Sequence, residues 1–343
     1  MSKSSKTIFT YELSNEYKKE IINFYNKFEF ISINQFIEWE QINNQNKKIC
    51  YYLKFDNDNL LCYSIILENK KIAYINYGPI ADDYSNIIVA IKDINKYFKE
   101  KYFLKVVYKL SNVDETSKKI NEFFENEYTT SNYPFNWSTL IIDLRNKTID
   151  EIYNSFSKNH KRAIKKSQKN KLQVKEISNE NDIEIMSKFY DEMYNHRHIK
   201  KSFLNTYTVF SNIYEYFKKY NNGFILGVYK EDKLIGGLIL PLQGKSLYYQ
   251  YGVASVNNRN IPILHIAFFE AIRLAKSKGL YFFDFGGYIK NIKKTDQINN
   301  INKFKKGFGG ELLEYNENMH FILSPIKYFI YILIRKIYFY FFR

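Results

Sequence analysis

An internal repeat constrains the fold of this 343-residue chain more than any single motif does. Residues 51–78 contain three β-rich runs separated by two short polar turns, and residues 224–252 repeat that order at nearly the same length. Both segments end in a Tyr-Gly dipeptide. Polar turns between β-rich runs predict antiparallel strands joined as a meander. A duplication of this kind predicts two tandem copies of one domain.

The segments that follow each Tyr-Gly also match. Apolar residues at three- and four-residue spacing predict helices at residues 86–99 and 263–278, and further β-rich runs follow at 103–110 and 280–287. A meander followed by a helix and a strand predicts an α/β fold with helices packed on a mixed sheet. Ligands bind such folds where neighbouring strands diverge, and we expect that place at the Tyr-Gly interruption.

Chain length and charge limit the possible classes of protein. At roughly 150 residues per domain the chain accommodates two domains, which we place at residues 1–139 and 140–324, with residues 325–343 as a separate tail. The formal charge of +15 also follows from a general bias toward Lys and Asn, as an AT-rich genome produces. Only local clusters of Lys and Arg therefore indicate a polyanionic partner.

Cysteine usage and the absence of targeting signals indicate the compartment. Cys50 and Cys62 lie in predicted strands without metal-binding spacing, so we expect reduced core thiols and no metal site. The sequence has neither a signal peptide nor an uncharged apolar stretch of about 18 residues, which predicts a cytoplasmic protein.

Residues 149–171 are predicted to form one amphipathic helix. His160 falls on its apolar face, where a hydrogen-bonded core histidine is expected. Seven Lys or Arg and no carboxylate occur between residues 158 and 171, so the opposite face repels itself. It is either a solvated surface or a phosphate-binding one. The side chains expected to bind phosphate are Lys161, Arg162 and Lys165.

The last strand of the second repeat contains a candidate catalytic carboxylate. Asp284 stands between two phenylalanines, so it points to the opposite side of the strand, and Gly286 permits close approach of another backbone. The carboxylate would orient an attacking amine or accept its proton. An equally open interpretation is that it caps a neighbouring loop.

Two further segments contribute polar groups to the second half. Residues 304–310 form a basic, glycine-containing turn, in which Lys305 would hold phosphate or stabilise an oxyanion. The loop 255–262 precedes a predicted helix, whose free N–H groups favour anions. The other side chains expected to contact a ligand in these segments are Phe304, Lys306, Asn257, Asn258 and Arg259.

These features together resemble the Fem-type (FemABX) aminoacyltransferases and related proteins with tandem acetyltransferase-like (GNAT, BioF2-like) domains. The resemblance covers about residues 30–320. In the first half it rests on Gln35, Trp39 and Tyr77-Gly78-Pro79, and in the second on the basic helix, FDFGG at 283–287 and FKKGFGGE at 304–311.

The resemblance implies an acyltransferase that forms an amide bond. Members that crosslink the cell wall join an amino acid from aminoacyl-tRNA to an amine of a peptidoglycan precursor, whereas other relatives use acyl-CoA; neither donor is a tightly bound cofactor. Residues 252–262 lack the glycine-rich turn that binds the CoA pyrophosphate, which favours tRNA. No counterpart of the long helical arm of several wall-crosslinking members is present, which argues against a standard bridge-building role.

We therefore expect aminoacyl transfer from tRNA to a phosphate-bearing envelope precursor. One alternative is a CoA-dependent N-acyltransferase acting on an envelope saccharide or sugar nucleotide, and another is a non-catalytic RNA- or membrane-binding module. In the leading hypothesis, Asp284 or Tyr251 orients the amine and Lys305 offsets negative charge. The first domain would support the acceptor, and its contact residues would be Gln35, Trp39, Tyr77 and Gly78.

Residues 325–343 are apolar and aromatic, with Lys327, Arg335 and Lys336 among them. They predict an amphipathic helix that is too charged to span a membrane. Two placements stay open: the headgroup region of an anionic membrane, which would make the protein peripheral at the inner face of the cell membrane, or packing on the second domain.

Overall fold

The computed structural model describes residues 5–28, 31–43, 47–109, 116–130, 137–196, 205–290, 297–314 and 318–341. Its contacts divide the chain into two compact units. Unit 1 comprises Met1–Phe28, Ser32–Trp137 and Glu314–Arg343, and unit 2 comprises Glu29–Ile31 and Ser138–Leu313. Among these described residues each unit contains an eight-stranded sheet and several helices, so the predicted α/β class is confirmed.

The sheet of unit 1 has the order β1-β2-β3-β4-β6-β16-β7, with β5 paired to β3. Its strands are β1 (Ser5–Thr10), β2 (Lys48–Asp56), β3 (Asn59–Asn69), β4 (Ile72–Asn76), β5 (Ile80–Ala81), β6 (Lys105–Lys109), β7 (Thr129–Thr130) and β16 (Met319–Ile322). Its helices are α1 (Asn15–Tyr25), α2 (Ile37–Asn43), α3 (Tyr84–Glu100), α4 (Thr116–Phe123) and α11 (Pro325–Phe341). Cys50 and Cys62 are buried free thiols in this sheet, as predicted.

The sheet of unit 2 has the order β15-β8-β14-β12-β11-β10-β9, with β13 paired to β11. Its strands are β8 (Trp137–Asp143), β9 (Gln173–Glu176), β10 (Gly223–Lys230), β11 (Lys233–Gln243), β12 (Ser246–Tyr248), β13 (Tyr251–Ala254), β14 (Phe282–Ile289) and β15 (Glu311–Glu314). Its helices are α5 (Ile149–Ser155), α6 (Lys158–Lys169), α7 (Glu180–His196), α8 (Thr206–Tyr220), α9 (Ile263–Ser277) and α10 (Gln297–Lys306).

The repeat is present in both sheets. Strands β2, β3 and β4 form an antiparallel meander with β6 parallel to β4, and β10, β11 and β12 form another with β14 parallel to β12. After an interruption the chain turns back to the middle strand of each meander, as β5 on β3 and β13 on β11. Strand β13 therefore does not continue the pairing that β12 makes with β14.

The two Tyr-Gly dipeptides do not occupy equivalent positions, which corrects the sequence alignment of the repeats. In unit 1 the interruption falls at Tyr77-Gly78, directly after β4. In unit 2 it falls at Tyr249 and Gln250, so Tyr251 already belongs to β13. The second repeat is thus offset by two residues, and Tyr249 takes the position that corresponds to Tyr77.

The first division between the units lies at Trp137 and Ser138, two residues before the expected one, and the difference from the expected domains lies nearer the C-terminus. Strand β8 spans the first division and lies beside β14 in the second sheet. Strand β16, expected in the second domain, pairs with β6 in the first, with Met319 opposite Tyr108 and Phe321 opposite Val106. Met319 and Phe321 are buried in the core of unit 1, so unit 2 is inserted between two segments of unit 1.

The expected single helix over residues 149–171 is two helices, α5 and α6. They are separated at Phe156, whose extended backbone directs its ring into the core, 5.2 Å from the Phe308 ring centroid. Ser157 then caps α6, because its hydroxyl accepts a hydrogen bond from the His160 N–H at 3.3 Å. Burial of the Phe156 ring therefore stabilises the chain more than an unbroken helix through this residue would.

Helix α11 belongs to unit 1 and packs on it, whereas the expected placements were a membrane surface or the second domain. The Tyr328 hydroxyl accepts a hydrogen bond from Lys105 Nζ at 3.2 Å, and Lys327 Nζ lies 5.2 Å from the Tyr102 ring centroid. Of the helices in the described ranges, none is long and apolar enough to cross a bilayer.

Candidate functional site

Asp284 is held inside unit 2 by the alternation of β14. Its neighbours Phe283 and Phe285 pack in the core, and the carboxylate takes the opposite side of the strand. Its Oδ1 accepts hydrogen bonds from the Thr139 hydroxyl and, at 2.7 Å, from the Gly286 N–H. Burial raises the pKa of Asp284 to about 6, against the opposing effect of these hydrogen bonds and of Lys305.

Lys305 lies in the last turn of α10 and is buried, with 6% of its surface exposed. Its Nζ donates to the carbonyl of Gly287 at 2.8 Å and stands 5.5 Å from the ring centroid of Tyr249. Burial lowers the pKa of Lys305 to about 8, while the negative charge of Asp284 acts in the opposite direction. The two candidate groups, which lie in separate segments of the sequence, therefore interact electrostatically in the fold.

Two side chains fix the position of α10. The Asn302 amide donates to the Ile289 carbonyl at 2.6 Å and accepts from its N–H at 3.4 Å, which ties α10 to the end of β14. His160 connects α10 to α6, because its Nε2 lies 2.8 Å from the Phe304 carbonyl and its Nδ1 3.0 Å from the Ser157 hydroxyl.

His160 is a hydrogen-bonded core residue, as the sequence predicted. Burial lowers its pKa, which favours the neutral imidazole. With Nε2–H donating to Phe304 and Nδ1 accepting from Ser157, both ring nitrogens are used. Gly307 leaves room for this ring, since a Cβ there would lie 2.1 Å from His160 Cε1. The glycine in the FKKGFGG segment thus serves packing.

A cleft of about 440 Å³ has Lys305 in its wall. Tyr249 lines the same polar end, and its hydroxyl lies against Gly252, where a Cβ would come within 2.9 Å of it. The apolar lining comes from α7, α9 and α10 and consists of Met193, Leu264, Ile301 and Phe304. Asp284 does not line this cleft, and its charge acts on Lys305.

A second cleft of about 560 Å³ adjoins the first along Met193, Leu264 and Phe304, and we call the two clefts together the groove. Its other side chains include Lys166, Asn258 and Arg259, and it reaches the start of α9. That helix begins after Pro262 without a side-chain cap, and the N–H groups of Ile263 and His265 donate to the carbonyls of Ile261 and Pro262. The groove therefore runs from a basic end to the Lys305 end.

The basic face of α6 continues from this end of the groove. Arg162 and Lys165 are exposed, and Lys161 Nζ donates to the Asn154 carbonyl at 3.1 Å. None of the ion pairs that the described residues form includes a basic side chain of α6. Lys166, whose place in the groove has no signal in the sequence, lines it and donates to the Asn260 carbonyl at 2.9 Å.

The remaining residues expected in the second half lie at the edge of the groove or outside it. Phe304 is in the wall and Gly286 is the partner of Asp284, whereas Asn257 and Lys306 are exposed and do not line either cleft. Tyr251 packs against the rings of Tyr190 and Phe210, with centroids 5.8 Å and 5.4 Å away. Tyr249 instead lines the groove, and its place at the strand interruption was the sequence signal for it.

Two of the unit 1 residues that were expected to contact the acceptor, Gln35 and Trp39, are buried and have structural roles. Gln35 is fully buried; its amide donates to the Asn76 carbonyl at 2.7 Å and accepts from the Ile65 N–H at 2.9 Å. Gly78 is needed beside it, because a Cβ would lie 2.8 Å from Gln35 Cδ. Trp39 is 2% exposed. Gln35 and Trp39 therefore stabilise the interruption and core of unit 1, and neither is placed to contact a ligand.

Tyr77 is half-buried beside this interruption, with a positive φ of 58°.

Within the described ranges, no group of three or more His, Cys, Asp or Glu side chains is arranged to hold a metal ion.

Comparisons with known proteins agree with this architecture. Residues 154–294 match the family model of the acetyltransferase (GNAT) domain. A segment of 94 residues is 31% identical to a lipid II:glycine glycyltransferase of Staphylococcus saprophyticus subsp. saprophyticus, and it spans 27% of this chain and 23% of that protein.

Two solved structures share the whole fold. The crystal structure of FemX matches with a TM-score of 0.79 at 14% identity, over 95% of this chain and 99% of FemX. A tandem GNAT protein from the clavulanic acid biosynthesis pathway matches with a TM-score of 0.57 at 6% identity, over 94% and 99%. Residues 154–294 therefore carry a GNAT domain, and the chain as a whole has the fold shared by FemX and the tandem GNAT protein. The FemABX-type resemblance of the motifs agrees with the fold shared with FemX and with the segment similar to the glycyltransferase.

Proposed function

We propose that this protein transfers an aminoacyl group from aminoacyl-tRNA to an amine of a peptidoglycan-like precursor in the cytoplasm. The observation that carries the proposal is one groove in unit 2 that joins a basic end, beside α6, to a buried lysine and carboxylate. The segment shared with a lipid II:glycine glycyltransferase supports an envelope precursor as acceptor.

The reaction would take place at the Lys305 end of the groove. The acceptor amine attacks the ester carbonyl, the new C–N bond forms, and the C–O bond to the terminal ribose of the tRNA breaks. The amine loses a proton, and the ribose oxygen gains one. A protonated Lys305 would stabilise the negative charge on the carbonyl oxygen, an interaction that typically accelerates acyl transfer by about 10²–10³-fold.

Asp284 would act through Lys305. Its carboxylate is buried outside the cleft lining, and its charge favours the protonated lysine. We therefore assign Asp284 a positioning role, in place of the direct contact with the amine expected from sequence. Tyr249 has the position for orienting the amine, since its ring lines the cleft beside Lys305.

The donor would bind along α6. Lys161, Arg162 and Lys165 form a basic surface without ion pairs to carboxylates among the described residues, and Lys166 and Arg259 extend it into the groove. Contacts of this kind suit the phosphates of tRNA, because they release condensed counterions.

A CoA-dependent N-acyltransferase is the second candidate function. It is favoured by the start of α9, which has no side-chain cap and opens into the cleft that contains Lys166 and Arg259. A helix N-terminus with two cations suits a pyrophosphate. A non-catalytic binding module is less favoured, because burying the ionisable groups of Lys305 and Asp284 costs free energy that such a module does not require.

The deciding experiment supplies the full chain with charged tRNA and with acyl-CoA in parallel, each with a peptidoglycan precursor. We expect acceptor-dependent consumption of aminoacyl-tRNA, and a Lys305→Gln variant about 10²–10³-fold slower. The exposed Lys303→Gln variant is the matched control. Consumption of acyl-CoA alone would support the second candidate, and consumption of neither donor would support a binding module.

The role of α6 is tested by tRNA binding. The triple variant Lys161→Gln, Arg162→Gln, Lys165→Gln should bind more weakly and reduce the slope of log affinity against log salt by roughly two to three. A control with Lys218, Lys219 and Lys233 changed to Gln removes the same charge from other exposed sites of unit 2. Equal binding by both variants would contradict a tRNA site on α6.

A further inference from the structure

Helix α11 carries a row of large exposed apolar side chains. Ile326 is 77% exposed and Phe329 69%, although such residues are ordinarily buried. The row continues through the next two turns of the helix with further half-exposed residues. Its members are Ile326, Phe329, Ile330, Leu333, Ile334 and Ile337. We call them the α11 stripe.

The stripe follows helical geometry. Its members recur at three- and four-residue spacing, so at 3.6 residues per turn they cover an arc of roughly 140°. Lys327 and Lys336, both exposed, flank the arc on its two sides. Arg335 is exposed as well, and Pro325–Phe341 contains no Asp or Glu.

The opposite side of α11 is attached to unit 1. Tyr328, Tyr331 and Ile332 are half-buried, and Tyr328 contacts Lys105 through both its hydroxyl and its ring. The attachment directs the stripe outward. A stripe of this size is therefore a surface for a partner rather than a core face.

We propose that α11 lies in the headgroup region of an anionic phospholipid bilayer, with the stripe in the acyl boundary and Lys327 and Lys336 at the phosphates. A helix with a broad apolar arc bordered by cations has the character of an interfacial helix. The long lysine side chains can extend from the arc to the headgroups. An anionic bilayer fits the α11 stripe better than a second copy of the chain does, because two α11 helices would bring like charges together.

The test is co-sedimentation of the full chain with vesicles of phosphatidylglycerol and phosphatidylcholine, and with vesicles of phosphatidylcholine alone. We expect binding to the anionic vesicles, weakened by salt. Phe329→Gln with Leu333→Gln should reduce the partition coefficient at least tenfold, since each removes apolar surface from the acyl boundary. Lys327→Gln with Lys336→Gln should remove the preference for anionic lipid.

The matched control is Ile22→Gln with Phe123→Gln. Ile22 in α1 is 50% exposed and Phe123 in α4 is 49% exposed, so they resemble the stripe residues in exposure but lie on other helices. Thermal unfolding of each variant verifies that the fold is kept. Binding that is absent for the unmodified chain, or equal for the stripe and control variants, would overturn the proposal. So would a dimer in sedimentation velocity that the stripe variant dissociates without any effect on vesicle binding.

Discussion

At the residue scale, burial of the ionisable groups of Asp284 and Lys305 costs folding free energy. The pKa of Asp284 rises from 3.8 to about 6, which corresponds to a cost of about 3 kcal/mol for ionising it in the folded protein. Because the folded pKa is the higher one, stability declines as the pH rises from 3.8 to about 6. For Lys305 the folded pKa of about 8 lies below 10.5, so stability increases as the pH rises between them.

These two groups predict the pH dependence of transfer. The rate should rise through about pH 6 as Asp284 ionises and fall through about pH 8 as Lys305 loses its proton. A bell-shaped profile follows when the carboxylate and the ammonium are both required. Initial rates of transfer at low acceptor concentration, corrected for spontaneous ester hydrolysis at each pH, measure it.

The Asp284→Asn variant tests whether ionisation of Asp284 causes the rise in rate near pH 6. Both hydrogen bonds to Asp284 use Oδ1, so an asparagine oxygen can accept them and only the charge is lost. We expect a lower rate, no limb near pH 6, and a melting temperature at pH 8 that is not below that of the unmodified protein. An unchanged profile would exclude Asp284 from the reaction.

At the element scale, the junction between α6 and α10 positions the site. The Ser157 N–H donates to the Gly307 carbonyl at 2.8 Å, and His160 bonds the Phe304 carbonyl, so the start of the basic helix is tied to the end of the helix that carries Lys305. The close approach of the two helices requires a glycine at position 307.

Gly307→Ala should destabilise the protein. The new methyl group would lie 2.1 Å from His160 Cε1, and that ring is held through both nitrogens. Overpacking of this kind lowers the free energy of unfolding by about 1–3 kcal/mol, measured by urea denaturation.

A double-mutant cycle distinguishes this clash from a general loss of backbone freedom. If the clash is the cause, Gly307→Ala should cost less in a His160→Ala background than in the unmodified protein. Equal costs in the two backgrounds would show that His160 is not the obstacle.

At the scale of the whole molecule, unit 2 interrupts unit 1 in the sequence. The first sheet is completed by β16, which lies between β6 and β7. A chain ending at residue 313 would lack this strand, leaving β6 as an edge and β7 without its partner.

Truncated chains test whether β16 belongs to the sheet of unit 1. In the chain of residues 1–313 we expect the amides of β6 to exchange hydrogen much faster, while those of β11 stay protected. The chain of residues 1–324 keeps β16 and lacks α11, so it should retain protection of β6. Equal protection of β6 in both chains would contradict the assignment of β16 to unit 1.

Local patterns in the sequence determined the repeat, the α/β class and the order of most elements. Alternation in β14 placed Asp284 opposite two core phenylalanines, and helical spacing placed His160 toward the core. Both follow from the side-chain periods of strand and helix, which act over a few residues.

The tertiary structure decided what depends on residues far apart in the chain. Pairing of β16 with β6, burial of Gln35 between Ile65 and Asn76, and the insertion of Lys166 beside the loop at Asn260 have no local signal. The break at Phe156 follows from its contact with Phe308. Sequence periodicity selects which face of an element is buried, whereas the partner on that face is selected by packing of the whole unit.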